Sequence, residues 1–377
     1  MKKVIVSIVS EQTTPNFLFI KEMILPGSEL LFITSKRFEE RIDWIVGALG
    51  YTETVVVDRV VLPDGAEEKW DEMIGAIRQG LSKDKEYIVN LTCGTKFMIS
   101  AVPNAFEGLA ATFYYIPFPK NRILKIGDTW EKEIAYRMSV REYFDCNNTS
   151  IPGDKTPDIA SDYTASFFRR FVEGGLDYEV INLLRAYRGI KEMPISVIEK
   201  EGRANSPEKY PPVPGLSSFL EDIDFPSQSA GQLSKAEAQY LTGGWYEEYI
   251  YTLIQEKIQP QDILMGVELP ITDKRGVSRR DLDLVFTYEN KLFVVECKTG
   301  VDKEALLSET VYKAAALKNE RLGKLSAHSF IFSLGGPNEI YEEIARAMGV
   351  NYYDRTYFED GAKFGQIIEI VNRKAKG

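Results

Sequence analysis

Asp281-Leu282-Asp283-Leu284-Val285-Phe286, a turn at Glu289-Asn290-Lys291, and the run Leu292-Phe293-Val294-Val295-Glu296-Cys297-Lys298 read as two arms of one β-hairpin. Side chains alternate across a strand, so Asp281 and Asp283 share a face while Leu282, Leu284 and Phe286 take the other. On the second arm Glu296 and Lys298 share a side, and closing the hairpin brings the two charged pairs together. An apolar approach that ends abruptly in Glu-x-Lys sets charges at the end of a buried strand, where an unpaired charge is costly. A divalent cation would remove that cost.

Such a cluster supports phosphodiester hydrolysis. Asp283, Glu296 and the main-chain carbonyl of Cys297 are hard oxygen ligands of the kind that hold Mg²⁺ or Mn²⁺. Lys298 is placed to orient or help deprotonate an attacking water and to stabilise charge on the phosphate. The competing reading is a surface ladder of cross-strand ion pairs, each worth about 0.2–1 kcal/mol. Lys274, Arg275, Arg279 and Arg280 crowd the turn ahead of the first arm, as a solvated turn or as a contact for a phosphate backbone. Trp245, Tyr246, Tyr249 and Tyr251, on the helix before the hairpin, read as core aromatics rather than as a platform for unpaired bases.

Around the hairpin, a helix over 243–257, strands over 263–271 and 329–334 and a long helix over 302–322 predict an α/β unit. The first third of the chain alternates β-branched runs at 4–9, 30–33, 54–57, 87–91 and 112–116 with amphipathic stretches at 37–49, 67–81 and 96–106. Strands spaced by helices of that length predict a doubly wound, Rossmann-like parallel sheet with right-handed crossovers. Ligands of such sheets bind beyond the carboxyl ends of the strands, here the loops after Val9, Ile33 and Leu91. Between the units, 145–162 reads as a linker, a helix is expected over 168–187, and the Pro- and Ser-rich 193–232 reads as a loosely ordered connector. The expected division is 1–145, 146–232 and 233–377.

A length of 377 residues exceeds the roughly 250–300 at which one core stops growing, in keeping with two packed units. Cys93, Cys146 and Cys297 are odd in number and scattered, which suits neither a disulfide framework nor a zinc cluster and points to a reducing cytoplasm. His328 is the single histidine, so a histidine-rich metal site cannot form within one chain. A net charge of -10 speaks against a protein that merely coats nucleic acid. No apolar run approaches the ~20 residues that cross a bilayer, so no membrane partner is expected.

The first unit lacks both G-x-G-x-x-G and G-x-x-x-x-G-K-[ST], so neither a nicotinamide cofactor nor a P-loop triphosphate is signalled. Instead, Asn90-Leu91-Thr92-Cys93-Gly94-Thr95-Lys96 leaves a buried strand and enters a helix whose first amides, with Lys96 beside them, favour an anion. Ser10-Glu11-Gln12-Thr13-Thr14-Pro15-Asn16 and Thr34-Ser35-Lys36 bring hydrogen-bonding groups to the same sheet edge, with ordinary helix capping as the competing account.

Both units carry resemblances. Residues 280–286 followed by Phe293-Val294-Val295-Glu296-Cys297-Lys298-Thr299-Gly300 resemble the PD-(D/E)XK nuclease core, with Asp283 as the motif aspartate and Glu296-Cys297-Lys298 as its (D/E)XK. The proline of the motif's name is absent, and Asp281 competes with Asp283. Glu247 and Glu248 stand on the preceding helix, where that superfamily often has a further acid. The Asn-x-Thr-x-Gly-Thr-Lys turn on a Rossmann-like unit, followed by this nuclease pattern, resembles the CRISPR-associated Rossmann fold (CARF) effector nucleases at both ends of the chain, leaving the connector uncovered. The resemblance implies an N-terminal CARF domain and a C-terminal restriction-endonuclease-like α/β domain. It further implies a homodimer that binds a cyclic oligoadenylate, usually cyclic tetraadenylate, and so switches on metal-dependent cleavage of DNA or RNA in antiviral defence. Ser10, Gln12, Thr14, Asn16, Thr34, Lys36, Thr92, Gly94, Thr95 and Lys96 would then line the pocket, and Cys93 stands where a glycine is frequent. A twofold axis suits a ligand made of repeated units.

Three alternatives compete. A HEPN ribonuclease would use Arg321 and His328, but needs a helix where 329–334 reads as a strand. A ligand-responsive regulator would grip DNA through the helix near 168–187. A restriction or repair nuclease would have no second messenger.

Overall fold

The computed structural model describes every residue except 51–54, 119, 158, 204–205, 207, 228–230, 274–275, 300–326 and 377, with the backbone alone described over 271–273 and 276–280. The expected helix over 302–322, and Lys274, Arg275 and Arg321, therefore lie outside the described residues. Among those described, no helix is long and apolar enough to cross a membrane.

The N-terminal sheet contains β1 (Lys2–Val9), β2 (Glu29–Ser35), β3 (Val57–Leu62), β4 (Lys85–Asn90), β5 (Ala110–Tyr115), β6 (Arg122–Lys125) and β7 (Glu131–Glu133), in the order β3-β2-β1-β4-β5-β6-β7. Strands β1 to β5 pair in parallel, and β6 and β7 extend the sheet antiparallel. Val4 through Val9 are all buried, as expected of a central parallel strand covered on both faces. Helices α1 (Thr14–Met23), α2 (Glu40–Leu49), α3 (Trp70–Gln79) and α4 (Lys96–Ala105) make the crossovers, and α5 (Val140–Asp145) ends the unit behind a Ser139/Glu142 capping box. The strand order reverses between β1 and β4, which makes their carboxyl ends the switch point of the sheet.

Several elements differ from expectation. The third strand starts at Val57, where the pattern placed it over 54–57. The polar stretch after β1 is a loop only as far as Thr13: α1 starts at Thr14, with Pro15 in its first turn. Its apolar residues are buried all round, so no amphipathic period marks it. The helix expected over 168–187 is two, α6 (Ser161–Val172) and α7 (Tyr178–Leu184), broken at Gly174, whose φ of +74° is left-handed. The stretch 193–232 carries α8 (Ile195–Lys200) and α9 (Leu216–Asp222), and β8 (Glu192–Pro194) pairs with β9 (Gln232–Ser234). It is anchored: Ile198, Val213, Leu216 and Phe219 are buried in one cluster with Trp245 and Phe293.

The C-terminal sheet runs β10-β11-β12-β13-β14, with β10 (Asp262–Asp273), β11 (Gly276–Tyr288) and β12 (Lys291–Lys298) antiparallel and β13 (His328–Ser333) and β14 (Asn351–Tyr353) added in parallel. Helix α10 (Lys235–Gln239) leads into α11 (Trp245–Lys257), which covers one face, where Ile250 and Ile254 join Leu284, Phe286, Phe293 and Val295. The other face is not solvated. Leu282, Val285, Leu292 and Val294 share a core with Phe17 of α1, Ile45 of α2 and Tyr143 of α5. The N-terminal unit therefore roofs the hairpin, so its apolar residues are buried on both faces. After β13 come α12 (Glu339–Ala347), α13 (Thr356–Glu359) and α14 (Gly361–Lys376).

The hairpin is locked at its tip. Glu289 and Asn290 both have left-handed φ, +50° and +58°, the backbone of a type I′ turn. Buried Asn290 accepts from Met138 N–H at 2.8 Å and donates to Tyr136 O at 2.9 Å and Asn121 Oδ1 at 3.2 Å. Thr287 Oγ1 donates to Met138 O at 2.8 Å, and Arg137 pairs with Glu289 at 2.9 Å. Replacing Asn290 with Ala strands these partners in a dry interface and is expected to cost about 2–4 kcal/mol in chemical denaturation; an unchanged midpoint would show that the tip does not hold the units together.

Lys291 is buried at 1% exposure, with its ammonium 4.8 Å from the Phe118 ring centre. Burial pulls its pKa from 10.5 down to about 8. The fold thus prefers the neutral amine, and stability rises as pH climbs from about 8 toward the unfolded value. Lys291→Met is expected to stabilise the chain at pH 7 by about 2–3 kcal/mol, with the advantage fading above pH 8; a pH-independent difference in melting would contradict the linkage.

Candidate active site and ligand crevice

Strands β11 and β12 pair with Leu284 across from Val295, and one step further Asp283 lies across from Glu296. Asp283 Oδ2 accepts from the Cys297 N–H at 2.7 Å. The Lys298 ammonium stands 3.2 Å from Glu296 Oε2 and 3.8 Å from Asp283 Oδ2. One amine thus sits against two carboxylates at the end of the hairpin. Burial pushes Asp283 above its ordinary pKa, against the pull of Lys298 and the Cys297 N–H. Burial lowers and the two carboxylates raise the Lys298 pKa, and the carboxylates prevail. The Cys297 thiol is buried and its pKa raised by that burial.

The first turn of α11 carries both candidate acids, and both line one cavity. Glu247 faces a cavity of about 520 Å³ with Asp281 and Asp283, and burial and the Asp283 charge push its pKa up to about 8. Glu248 is buried and accepts from the Ile159 N–H at 3.2 Å, anchoring the chain ahead of α6. Trp245 and Tyr246 are buried, and Tyr249 stacks on Phe168 at 4.1 Å, as the core reading expects. His328 opens β13 with its ring 5.1 Å from that of Phe293, a strand where a HEPN motif needs a helix.

Asp283 and Glu296 fit a divalent metal of the Mg²⁺ type, which is commonly held by one or two carboxylates with water and substrate phosphate completing its shell. Burial and mutual repulsion make these carboxylate charges costly, a cost that a bound cation would lower. Among the described residues no three His, Cys, Asp or Glu side chains are gathered at ligand spacing; Lys298 lies against the pair instead.

Two further cations reach this cavity, Lys155 and Arg188. Sequence reading missed both, because 145–162 has no periodicity and Arg188 follows a helix read as structural. One signal was present: Gly266 interrupts a strand, and a glycine there marks a bulge or a close approach. It has φ +58°, and a Cβ on it would meet Lys155 Cδ at 2.7 Å.

The second candidate site lies at the β1/β4 switch point. Gly94, with φ +115°, donates its N–H to Ser10 Oγ at 3.0 Å, stitching the two loops together. Thr92 Oγ1 accepts from the Ile116 N–H at 2.8 Å, and Thr95 caps α4 by accepting from the Met98 N–H at 3.2 Å. Gln12, Lys36, Thr95 and Lys96 are exposed, and Ser10, Thr92 and Gly94 half-buried. Lys36 pairs with Glu39 at 2.6 Å. Thr14, Asn16 and Thr34 are buried and turned into the protein. Asn16 donates to Ile8 O and accepts from Asn90 Nδ2, Thr34 donates to Val9 O, and the Thr14 hydroxyl lies 3.9 Å from Cys146 Sγ. They shape the crevice from beneath. Arg41, which sequence reading passed over, donates to Ser10 O at 3.0 Å and to Glu11 O, fixing the loop after β1.

A parallel sheet with a polar crevice at its switch point, joined to a sheet whose hairpin gathers Asp, Glu and Lys, defines a ligand-sensing nuclease. The profile described as the Card1 CARF domain matches residues 4–143, and that described as the Card1-like endonuclease domain matches 234–354. The chain belongs to the CARF-domain nucleases of the Card1 type. Among solved structures it is similar to protein VC1899 from Vibrio cholerae (TM-score 0.76, 15% identity, covering 100% of this chain and 99% of that one). It is also similar to Can2 from Sulfobacillus thermosulfidooxidans in complex with cyclic tetra-adenylate (TM-score 0.70, 17% identity, 97% and 99%). A type III CRISPR defence DNA nuclease activated by cyclic oligoadenylate matches at TM-score 0.53 and 17% identity over 95% of this chain and 51% of that one. At such identities the likeness establishes the fold. No curated protein matches the chain by sequence.

Mn²⁺ at a hundredfold excess over its dissociation constant is expected to stabilise the wild-type chain by about 2.7 kcal/mol in thermal unfolding, and to leave an Asp283→Asn/Glu296→Gln variant unshifted. An equal shift in that variant would place the metal elsewhere.

Proposed function

We propose that this chain is a cyclic tetraadenylate-activated, metal-dependent endonuclease of type III CRISPR antiviral defence that acts on DNA or RNA as a homodimer. The observation that carries the reading is the meeting of Asp283, Glu296 and Lys298 at the end of a hairpin whose tip is docked on the sensing sheet. The Can2 complex with cyclic tetra-adenylate, similar over nearly the full length, supports the choice of messenger. We divide the chain into a sensing domain at 1–145, a helical connector at 146–232 and a nuclease domain at 233–377.

In this reading Asp283 and Glu296, with the Cys297 carbonyl, would hold Mg²⁺ or Mn²⁺, which would supply Lewis-acid polarisation of a phosphoryl oxygen. Lys298 orients the attacking water and stabilises charge on the phosphate. Both acids line the same cavity; Glu247 serves as the additional acid, and Glu248, engaged by the Ile159 N–H, holds the fold. In the sensing crevice Ser10, Gln12, Lys36, Thr92, Gly94, Thr95 and Lys96 meet the messenger, with its phosphates over the start of α4. Thr14, Asn16 and Thr34 support them from below. Two such crevices across a twofold axis share one ring, and activation follows if the ring binds the competent arrangement more tightly than the idle one.

The test combines purified chain, cyclic tetraadenylate, Mn²⁺ or Mg²⁺, and single-stranded, duplex and supercoiled substrates. Glu296→Ala is expected to bind the messenger and cut nothing, with activity down by at least about a hundredfold. Lys96→Ala is expected to lose the response to messenger. Cutting by Glu296→Ala at the wild-type rate would remove this active site, and an undiminished response in Lys96→Ala would remove the crevice.

A further inference from the structure

The cavity beside Asp283 is not built by the nuclease sheet alone. Its wall includes Asp154, Lys155 and Thr156 from the segment between the units, and Arg188 after α7. The main chain holds that segment in place. Lys155 N–H donates to Met265 O at 2.7 Å, forming an isolated antiparallel bridge to β10. One residue earlier Asp154 is paired with Arg141 of α5, which also donates to Ile151 O at 2.9 Å. The Lys155 stem lies across Gly266, where any larger residue would collide with its Cγ and Cδ. The register is the same on both sides of Gly266, Met265 facing Leu284 and Val267 facing Leu282, so Gly266 stands across from Asp283.

The resulting charge pattern is unusual for a surface lysine. Lys155 acts electrostatically on both Glu247 and Asp283, and Arg188 acts on Glu247. Among the described residues neither the Lys155 ammonium nor the Arg188 guanidinium closes an ion pair, whereas Lys298 is engaged by Glu296. Both side chains are exposed, so they stand at the mouth of the cavity, open to whatever enters. Two cations at the rim of an acidic pocket, with no ion pair among the described residues, match a polyanion whose scissile group must reach those acids. Contacts of this kind position the backbone without reading sequence.

We propose that Lys155, assisted by Arg188, is a substrate-binding residue that grips a backbone phosphate next to the one being cut, so that the connector completes the nuclease site. This rests on the nuclease reading of Asp283, Glu296 and Lys298. The ammonium acts as a point charge on the non-bridging oxygens. No bond is made or broken by it.

The test separates charge from packing. Lys155→Met keeps the stem over Gly266 and the main-chain bridge but removes the charge, and Lys155→Arg restores the charge. Binding of a fluorescein-labelled oligonucleotide is measured by anisotropy in the Glu296→Ala background with cyclic tetraadenylate and Mg²⁺, across a salt series. Lys155→Met is expected to weaken binding about tenfold and to lower the slope of log affinity against log salt by about 0.7–0.9, one phosphate contact. Lys155→Arg should recover most of both. With Glu296 intact, Lys155→Met should raise KM by a similar factor and leave kcat within about twofold. Unchanged affinity and salt slope in Lys155→Met, or a loss confined to kcat, would overturn the inference while leaving the nuclease reading standing. Failure of that reading is seen separately, as cutting by Glu296→Ala alone.

Discussion

The pairing of β11 with β12 is the constraint on which everything else hangs. Its register sets Asp283 across from Glu296 at the open end, and a type I′ turn at the closed end presents Asn290 to the sensing unit. From Asn290 to Glu296 is six residues, roughly 20 Å of strand. A slip of one residue between the strands would turn one of the two carboxylates to the opposite face and set an apolar side chain beside the other. The two ends are therefore specified together, and a rigid element runs from the sensing unit to the proposed site of cutting.

Burial on both faces explains why that element is so well determined. Leu284, Phe286, Phe293 and Val295 pack under α11, while Val285, Leu292 and Val294 pack under helices of the N-terminal unit. In this dry setting the charges at the strand ends are expensive, and the protein resolves the cost in part by laying Lys298 against Asp283 and Glu296. Glu247 remains beside them with a strongly raised pKa, caused first by burial and then by Asp283. Such incompletely compensated acid is the mark of a site arranged for a partner rather than for stability.

Much of this was legible in the chain itself. The alternation of Asp281 to Phe286 and the Glu-Cys-Lys ending gave the hairpin, and β-branched runs spaced by helices gave the parallel sheet, because both are periodic signals with one dominant reading. What escaped was whatever lacked a period. Helix α1 is buried all round, so Phe17 to Ile20 show no polar face. The roofing of the hairpin by a distant unit cannot be read from local pattern: Leu282, which alternation groups with Leu284 and Phe286, packs instead with Val285 in the core shared with that unit. Thr14, Asn16 and Thr34 are polar residues that face inward, and composition alone cannot separate a polar residue that supports a crevice from one that lines it. Lys155 was hidden in an irregular stretch, and only Gly266 hinted at its approach.

Diffraction from crystals of the full chain soaked in Mn²⁺, with an anomalous difference map, addresses the central claim most directly. The account predicts a peak within direct contact of carboxylate oxygens of both Asp283 and Glu296, with the Lys298 ammonium displaced from between them. Carboxylates still closed on that ammonium, with manganese absent from the hairpin end, would contradict it.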